Sequence, residues 1–425
     1  MVDLKLVRER PDEFKEALRR KGADPALIDL VLDLDRRRRS LVHRVETLRA
    51  AQNKASEVIA RLTGGEREAQ IAEMKRIARD LRTLEPELRA AEQDLERALL
   101  RIPNPPHPSV PEGGPEANVV LRTVGTPPTF PFPPRDHVEL GALLDILDVE
   151  RGAKVSGSRF VYLRREGALL QMALIRYAVD RLVAEGFTPV IPPVLVKRRA
   201  LIGTMGGETL DEQMVYRVEG EDLALTGTSE VALGAMLADE VLGEQDLPLR
   251  LVGVSTCFRR EAGAHGRDTR GMFRVHQFDK VEMFSFCQAE RSWDEHEYLV
   301  GLQEALWRPL GLPYRVVNIA GGDLGDPAAR KYDIETWMPG RGDYGETQSC
   351  SNCTDFQARR LNIRVRRPQG GTEFVHTLNG TAVACPRAII AILENYQEAD
   401  GSVRVPEVLV PYMGGITVLR PRAPR

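Results

Sequence analysis

The chain has 425 residues, a net charge of −3 and 28% charged side chains. That length fits two domains with a sizeable core, and the charge excludes a globally basic nucleic-acid binder, so a nucleic-acid partner has to be met by local patches. There is no secretory leader at the N-terminus, no apolar run of about 18 residues to cross a membrane, and no disulfide framework among five cysteines, so a cytoplasmic location is expected.

Residues 1 to about 26 read as a short helical lead, with a helix starting at Arg10-Pro11-Asp12-Glu13-Phe14. Val31, Leu34, Arg38, Leu41, Val45, Leu48, Gln52, Ala55, Ile59 and Leu62 then step by alternating threes and fours. Only Arg38 and Gln52 break that apolar seam. After Thr63-Gly64-Gly65-Glu66 a second set runs from Met74 through Ile77, Leu81, Leu84, Leu88, Ala91, Leu95 and Ala98. Two such helices joined at Gly-Gly make an antiparallel hairpin, each arm roughly 50 Å long. Pro86 should kink the second helix or cost it a hydrogen bond. The Arg36–Arg39 run, with Arg44, Lys54, Lys75, Arg76 and Arg79, can grip phosphates. Heptads equally serve dimerisation, and composition leaves the two readings level.

The segment from Ile102 to Pro134 is dense in Pro and Gly and cannot continue a helix. It divides the chain into a helical hairpin (1–105), a linker (106–135) and a mixed α/β region (136–425). In that region Glu166 to Ala184 has a helical apolar face, followed by a proline-bearing extended run to Val196. Leu225-Thr226-Gly227-Thr228-Ser229-Glu230 ends a short strand and opens a helix at Val231, and its Thr and Ser suit helix capping.

Leu249–Arg259 and Phe273–Phe286 read as two strands of a long-looped antiparallel hairpin. Gly263, Gly266 and Gly271 let the loop turn, while Arg260, Arg267, Asp268 and Arg270 stay wet. Alternation puts His276, Phe278, Lys280 and Glu282 on one face and Val275, Gln277, Asp279 and Val281 on the other. A charged strand face is ordinarily a solvated one with ion pairs. Here Phe278 sits among the charges, and a flat ring beside guanidinium groups suits a purine and its phosphates.

Tyr344–Cys353 contains a lone C-x-x-C with no second pair or close His pair, so zinc is not expected. Thr377–Arg387 leads into an apolar helix, Ala388 to Tyr396, with Pro386 suited to its first turn. Arg387 there opposes the helix dipole by about a few tenths of a kcal/mol. A bound anion contacting both the free amides and the guanidinium resolves that conflict, and an arginine snorkelling to a salt bridge is the ordinary alternative.

FRREAGAHGRDTRGMFRVHQFDKVEMF resembles motif 2 of class II aminoacyl-tRNA synthetases, and within that class the seryl-tRNA synthetase family. The helix and proline-bearing strand around 172–196 resemble motif 1, a dimer interface, and 377–397 resembles motif 3, with motif 2 around 249–286. The resemblance implies an α+β fold: an N-terminal antiparallel helical hairpin, or coiled-coil arm, plus a class II catalytic domain whose antiparallel β-sheet is flanked by helices. It implies a homodimer, and it assigns the arm to the variable arm of tRNA(Ser), with tRNA(Sec) as a further acceptor where present.

The resemblance also implies the chemistry: L-serine and ATP form seryl-adenylate, which then acylates tRNA. Thr228, Ser229, Glu230, Arg259, Glu282, Asn379 and Thr381 are the implied serine-binding residues. Those implied for ATP are Arg259, Arg260, Glu261, Val275, Phe278, Glu346, Thr347, Gln348, Ser349 and Arg387. Arg259 and Arg387 are the catalytic pair, and Glu346 and Ser349, hard oxygen donors, hold Mg²⁺. Thr381 stands where bacterial members commonly have Ser, Gln348 also replaces a common Ser, and Cys-Pro precedes Arg387. Val275, on the opposite strand face, is expected to reach ATP through its backbone. Competing readings are a synthetase-like paralogue (a resistance copy or an amino acid:carrier-protein ligase), a non-catalytic tRNA-binding protein, and a coiled-coil adaptor.

Overall fold

The computed structural model describes residues 1–59, 61–206, 214–261 and 270–422. It divides into two compact units, one of Val2–Arg19 with Ala23–Pro103, the other of Met1, Arg20–Gly22 and Asn104–Arg425.

The first unit is dominated by two long helices, Ala26–Ile59 and Gly64–Leu100. The heptad seam closes between them, with Leu41, Val45, Ile77, Leu81, Leu84 and Ala91 forming one apolar cluster. Arg38 interrupts that seam for an electrostatic reason. Asp35, buried in the first helix, accepts hydrogen bonds from Arg8 (2.7 and 2.8 Å), Arg39 (2.9 Å) and Arg38 (3.4 Å). Burial alone would raise its pKa, but the arginines outweigh that and hold it below the usual carboxylate range. Arg36 is paired with Asp33, so three of the four arginines in the 36–39 run already have carboxylate partners, as Arg76 has in Glu73. Pro86 does not interrupt its helix, which runs unbroken from Gly64 to Leu100. It lies on the exposed face, where the carbonyl freed by its missing N–H can turn to water.

The second unit is built on an eight-stranded sheet. Its strands are β1 (Val119–Val124), β2 (Thr188–Val190), β3 (Leu249–Phe258), β4 (Gln277–Cys287), β5 (Tyr314–Asn318), β6 (Arg330–Met338), β7 (Asp343–Asn352) and β8 (His376–Ala384). The order across the sheet is β1-β5-β6-β7-β8-β4-β3-β2, antiparallel except for the β2–β3 pair. The Pro/Gly-rich segment thus supplies an edge strand, β1, as well as a connection. β3 and β4 are the expected hairpin, paired from Phe258–Gln277 to Leu249–Phe286. The second strand begins at Gln277, not Phe273, so Val275 and His276 fall outside the alternation expected to orient them.

Helices Arg165–Ala184, Ser292–Trp307 and Cys385–Asn395 cover one face of this sheet. Their core includes Leu170, Tyr177, Leu299, Leu306 and Ile389, with Val281, Met283, Ile334, Cys350 and Val383 from the strands. Phe278, Lys280 and Glu282 alternate with Val281 and Met283 and therefore point to the opposite face.

Two irregularities shape that opposite face. β7 carries one extra residue, Thr347, against β6, since Gln348 opposes Ile334 while Glu346 opposes Glu335. β8 carries one extra residue, Ala382, against β4, since Val383 opposes Val281 while Thr381 opposes Glu282. Each is a β-bulge, the device that re-aims side chains beside functional sites. β7 and β8 pair only from Asn352–Leu378 to Cys350–Gly380, and beyond that point they part like a fork.

Candidate active site

The cavity at that fork is lined by Arg259, Glu261, Phe273, Arg274, Val275, Phe278, Lys280, Glu346, Thr347, Gln348, Ser349, Thr381, Ala384, Pro386 and Arg387. Ten of these, counting neither Phe273, Arg274, Lys280, Ala384 nor Pro386, carry expected roles. Arg259 follows β3 directly. Its Nε donates to Gly227 O at 3.1 Å and its guanidinium lies 5.2 Å from the centre of the Phe278 ring. Glu261 has φ +49° and pairs with Arg274 at 3.5 Å. Arg387, in the first turn of Cys385–Asn395, donates Nη1 to Glu346 O at 2.8 Å and reaches Glu346 Oε2 at 3.3 Å. The conflict between Arg387 and its helix dipole is therefore met inside the chain by a carboxylate, as an ordinary ion pair would meet it. Its guanidinium also lies 4.6 Å above Phe273, an aromatic wall with no motif role in the sequence.

The bulge at Thr347 explains how Glu346 and Ser349 come to one cavity. Residues three apart on a regular strand face opposite sides, and one extra residue restores them to the same side. Burial acts to raise the Glu346 pKa, but Arg387, Lys331 and Arg259 outweigh it and hold the carboxylate ionised. Across the ladder, Asp333 opposes Ser349 and touches Lys331 at 3.1 Å, and its Oδ1 is buried without a hydrogen-bond partner. These hard oxygen atoms suit a divalent cation.

Thr347 and Gln348 contribute differently from Glu346. Thr347 Oγ1 lies 2.7 Å from Thr336 Oγ1 and donates to Ile334 O, and Gln348 Nε2 donates to Ala382 O at 2.7 Å. Arg260 is exposed and is not among the lining residues. Val275 is buried and lines the cavity from the segment before β4.

Beneath the cavity lies a buried acidic pocket. Lys280 Nζ forms a close ion pair with Glu282 and reaches Thr228 Oγ1 at 3.4 Å. Glu282 faces Thr381 in register. Glu230 Oε1 accepts from Gln357 Nε2 at 2.7 Å and from Asn379 Nδ2 at 3.0 Å. Burial, then the charge of Glu282, raises the Glu230 pKa to about 7, and burial raises that of Glu282. Ser229 precedes the Glu230–Ala235 helix but makes no side-chain cap, and its buried Oγ has no hydrogen-bond partner. The capping expectation survives only in Thr228, whose Oγ1 accepts from Glu230 N at 3.3 Å.

The structure therefore gathers Thr228, Ser229, Glu230, Glu282, Asn379 and Thr381, drawn from three separate stretches of sequence. It adds Lys280 and Gln357, which the sequence reading did not single out. Lys280 had a signal, its place on the Phe278 face. Gln357 had none, because its partner Glu230 is 127 residues away.

Gly271 has φ +80°, and a Cβ there would meet His137 Nε2 at 2.1 Å. Gly263, Gly266, Arg267 and Asp268 lie outside the described residues. All five cysteines are free and buried, including Cys350 and Cys353. No helix among the described residues is long and apolar enough to cross a membrane.

Residues 1–106 match the family model for the seryl-tRNA synthetase N-terminal domain, and residues 214–396 match that for the class II tRNA synthetase core domain (G, H, P, S and T). The serine–tRNA ligase of Streptomyces coelicolor is 50% identical over 426 residues, covering 100% of both chains. That of Dictyoglomus turgidum is 48% identical, covering 99% of this chain and 100% of the relative. The crystal structure of seryl-tRNA synthetase from Pyrococcus horikoshii complexed with ATP superposes with a TM-score of 0.94 at 44% identity, covering 100% of each chain.

Proposed function

Because the chain belongs to the seryl-tRNA synthetase family of class II aminoacyl-tRNA synthetases, we propose that the forked cavity makes seryl-adenylate from serine and ATP. The protein is an enzyme that ligates serine to tRNA. The observation that carries the assignment of the site is the meeting, on one sheet face, of an arginine-compensated carboxylate with a buried acidic pocket.

In the first step a serine carboxylate oxygen attacks the α-phosphorus of ATP, and the bond to pyrophosphate breaks. The carboxylate is already ionised at pH 7, so no general base is needed. Catalysis is then positioning and charge neutralisation. Arg259, held by Gly227 O, neutralises the α-phosphate and orients the serine carboxylate. Phe278 stacks on adenine, with Arg387 on its other side reaching the γ-phosphate. Glu261 accepts from the adenine amino group. Val275, Thr347 and Gln348 contribute backbone atoms, and Arg260 lends charge from outside. Glu346 and Ser349 would hold Mg²⁺, which would supply further neutralisation of phosphate charge when bound.

Glu230 receives the serine ammonium, with Thr228 and Ser229 as its wall. Glu282, Thr381 and Asn379 hydrogen-bond the hydroxyl and its surroundings. A site built on such bonds rejects alanine by up to about four orders of magnitude. In the second step the terminal ribose hydroxyl of tRNA attacks the acyl carbon and AMP leaves.

The two long helices bind tRNA(Ser), and tRNA(Sec) where one is present. The Arg165–Ala184 helix exposes Leu169 and Met172, and Ile191 beyond it is 89% exposed, which supports a homodimer through this surface. The reaction belongs to the cytoplasm, where charged tRNA is used.

The test is ATP–pyrophosphate exchange with each of the twenty amino acids, followed by charging of serine tRNA. Serine-only exchange with charging is expected. Serine exchange without charging would indicate a paralogue with another acceptor, and no exchange would indicate a non-catalytic binder. Removing residues 31–98 should spare exchange and cripple charging, and full charging by that variant would overturn the role of the arm.

A further inference from the structure

We propose that Gln303, on the helix behind the sheet, is a positioning residue for adenylate formation, its side-chain amide fixing the width of the fork between β7 and β8. The inference rests on the reading of Ser349 as the magnesium end of the site and Thr381 as the serine end.

Where the β7–β8 ladder stops, the carbonyls beyond it lose their cross-strand donors. Two of them are recovered by one side chain: Gln303 Nε2 donates to Ser349 O at 2.8 Å and to Thr381 O at 2.9 Å. A third, on the bulge residue Ala382, is taken by Gln348 from the opposite strand. Ser349 and Thr381 are among the lining residues of the cavity, one on each prong. Gln303 thus holds the backbone of each prong directly behind its functional side chain.

Space-filling does not account for a glutamine at this position. Gln303 is fully buried, and its Oε1 has no hydrogen-bond partner, a desolvation cost that leucine or methionine of similar volume would not incur. What the apolar residues cannot do is donate two hydrogen bonds to carbonyls on different strands. The same helix also fastens β7 where Asn352 Nδ2 donates to Ser292 O at 3.0 Å and, next to the split, where His296 Nε2 lies 3.0 Å from Cys350 O. Both bonds fall within the paired part of the ladder, so Gln303 is the helix's tie across the split itself.

The fork width sets the distance between the phosphates held at Glu346 and Ser349 and the serine held at Thr381. In-line attack is sensitive to such spacing, and misplacement by about 1 Å costs on the order of a hundredfold in rate. The tie should therefore act on turnover and leave the separate affinities nearly intact.

The full-length chain is assayed by serine-dependent ATP–pyrophosphate exchange beside its Gln303→Leu and Gln303→Glu variants, with melting curves for each. Serine exchange by the unaltered chain is the control for the site reading, and its failure would strike that reading before any variant is compared. Given exchange, folded Gln303→Leu should lose between about ten- and a hundredfold in kcat, with KM for ATP and for serine each moving less than about threefold. Wild-type kcat in a folded Gln303→Leu protein, or a loss that vanishes well below its melting temperature, would overturn the proposal. Gln303→Glu keeps the length but loses its donor as the carboxyl ionises. Its kcat should fall with rising pH, relative to the unaltered chain, at temperatures where it is folded. A pH profile parallel to that of the unaltered chain would overturn the tie independently of the leucine variant.

Discussion

Glu346 and Glu230 are the same residue type at two ends of one site, and their surroundings push them in opposite directions. Glu346 keeps 42% of its side chain exposed and faces Arg387, Lys331 and Arg259, which hold it ionised against the effect of burial. Glu230 is buried, receives side-chain amide donors from Gln357 and Asn379, and lies near the like charge of Glu282, so its pKa rises to about 7. On the proposed function, the phosphate end is thus pre-charged for a cation and for anionic phosphates between arginines. On the same reading, the carboxylate at the serine end waits for a cation that the substrate itself carries. Ligand charge, and not residue type, decides which arrangement each end requires.

Arg259 lowers the pKa of both glutamates, so its loss should damage both ends at once. Arg259→Ala is expected to reduce serine-dependent exchange by about three orders of magnitude or more, the range for removing a group aimed at transition-state charge. Exchange near the wild-type rate would break the comparison at its centre. Glu346→Gln separates the ends: exchange should fall about a hundredfold and need more magnesium for half-saturation, with serine KM little changed. An unaltered magnesium requirement would remove Glu346 from the cation site.

Glu230→Gln sharpens the other end, with an effect of about tenfold on serine KM. The pH dependence follows from the direction of the shift. Between about pH 4.5 and pH 7 the native state holds a proton that the unfolded chain releases. The contribution of Glu230 to stability is therefore complete below about pH 4.5 and declines as pH rises through 7, by up to about 3 kcal/mol. Glutamine does not titrate, so the variant should match the wild type in chemical denaturation at pH 4.5 and exceed it at pH 8. Serine KM in the wild type should fall as pH rises across 7, because the ammonium prefers the ionised carboxylate, and should be flat in the variant. A parallel pH profile in both proteins would place the ammonium elsewhere.

Period and spacing in the sequence carried the arm seam, the β3–β4 hairpin and the shared face of Phe278, Lys280 and Glu282, because each depends on neighbours in the chain. Arg38 looked like a defect in the seam, and its reason is Asp35, whose partner Arg8 lies 27 residues upstream. The resemblance named Glu346 and Ser349 together, but no alternation predicts that they share a cavity. That requires the bulge at Thr347, which shows only in the register against β6. The fork was equally hidden, since it is the absence of pairing between strands whose sequences are both strand-like. Val275 was misplaced on a strand face because the apolar pattern continued four residues beyond the ladder that gives such faces their meaning.

Arg260 supplies the smallest expected effect and tests whether proximity in sequence suffices for a role in the site. It stands between Arg259 and Glu261, both of which line the cavity, yet its own side chain is exposed and outside the lining. Its backbone N–H donates to Met214 O at 3.1 Å, a bond that a side-chain substitution leaves in place. Its side chain is exposed, and screening at physiological salt weakens the field of an exposed charge beyond about 8 Å. Arg260→Ala should therefore raise ATP KM by less than about threefold, and the change should shrink further as salt is added. A salt-independent loss approaching that of Arg259→Ala would mean that the guanidinium enters the cavity with substrate, and that exposure before binding is a poor guide to this end of the site.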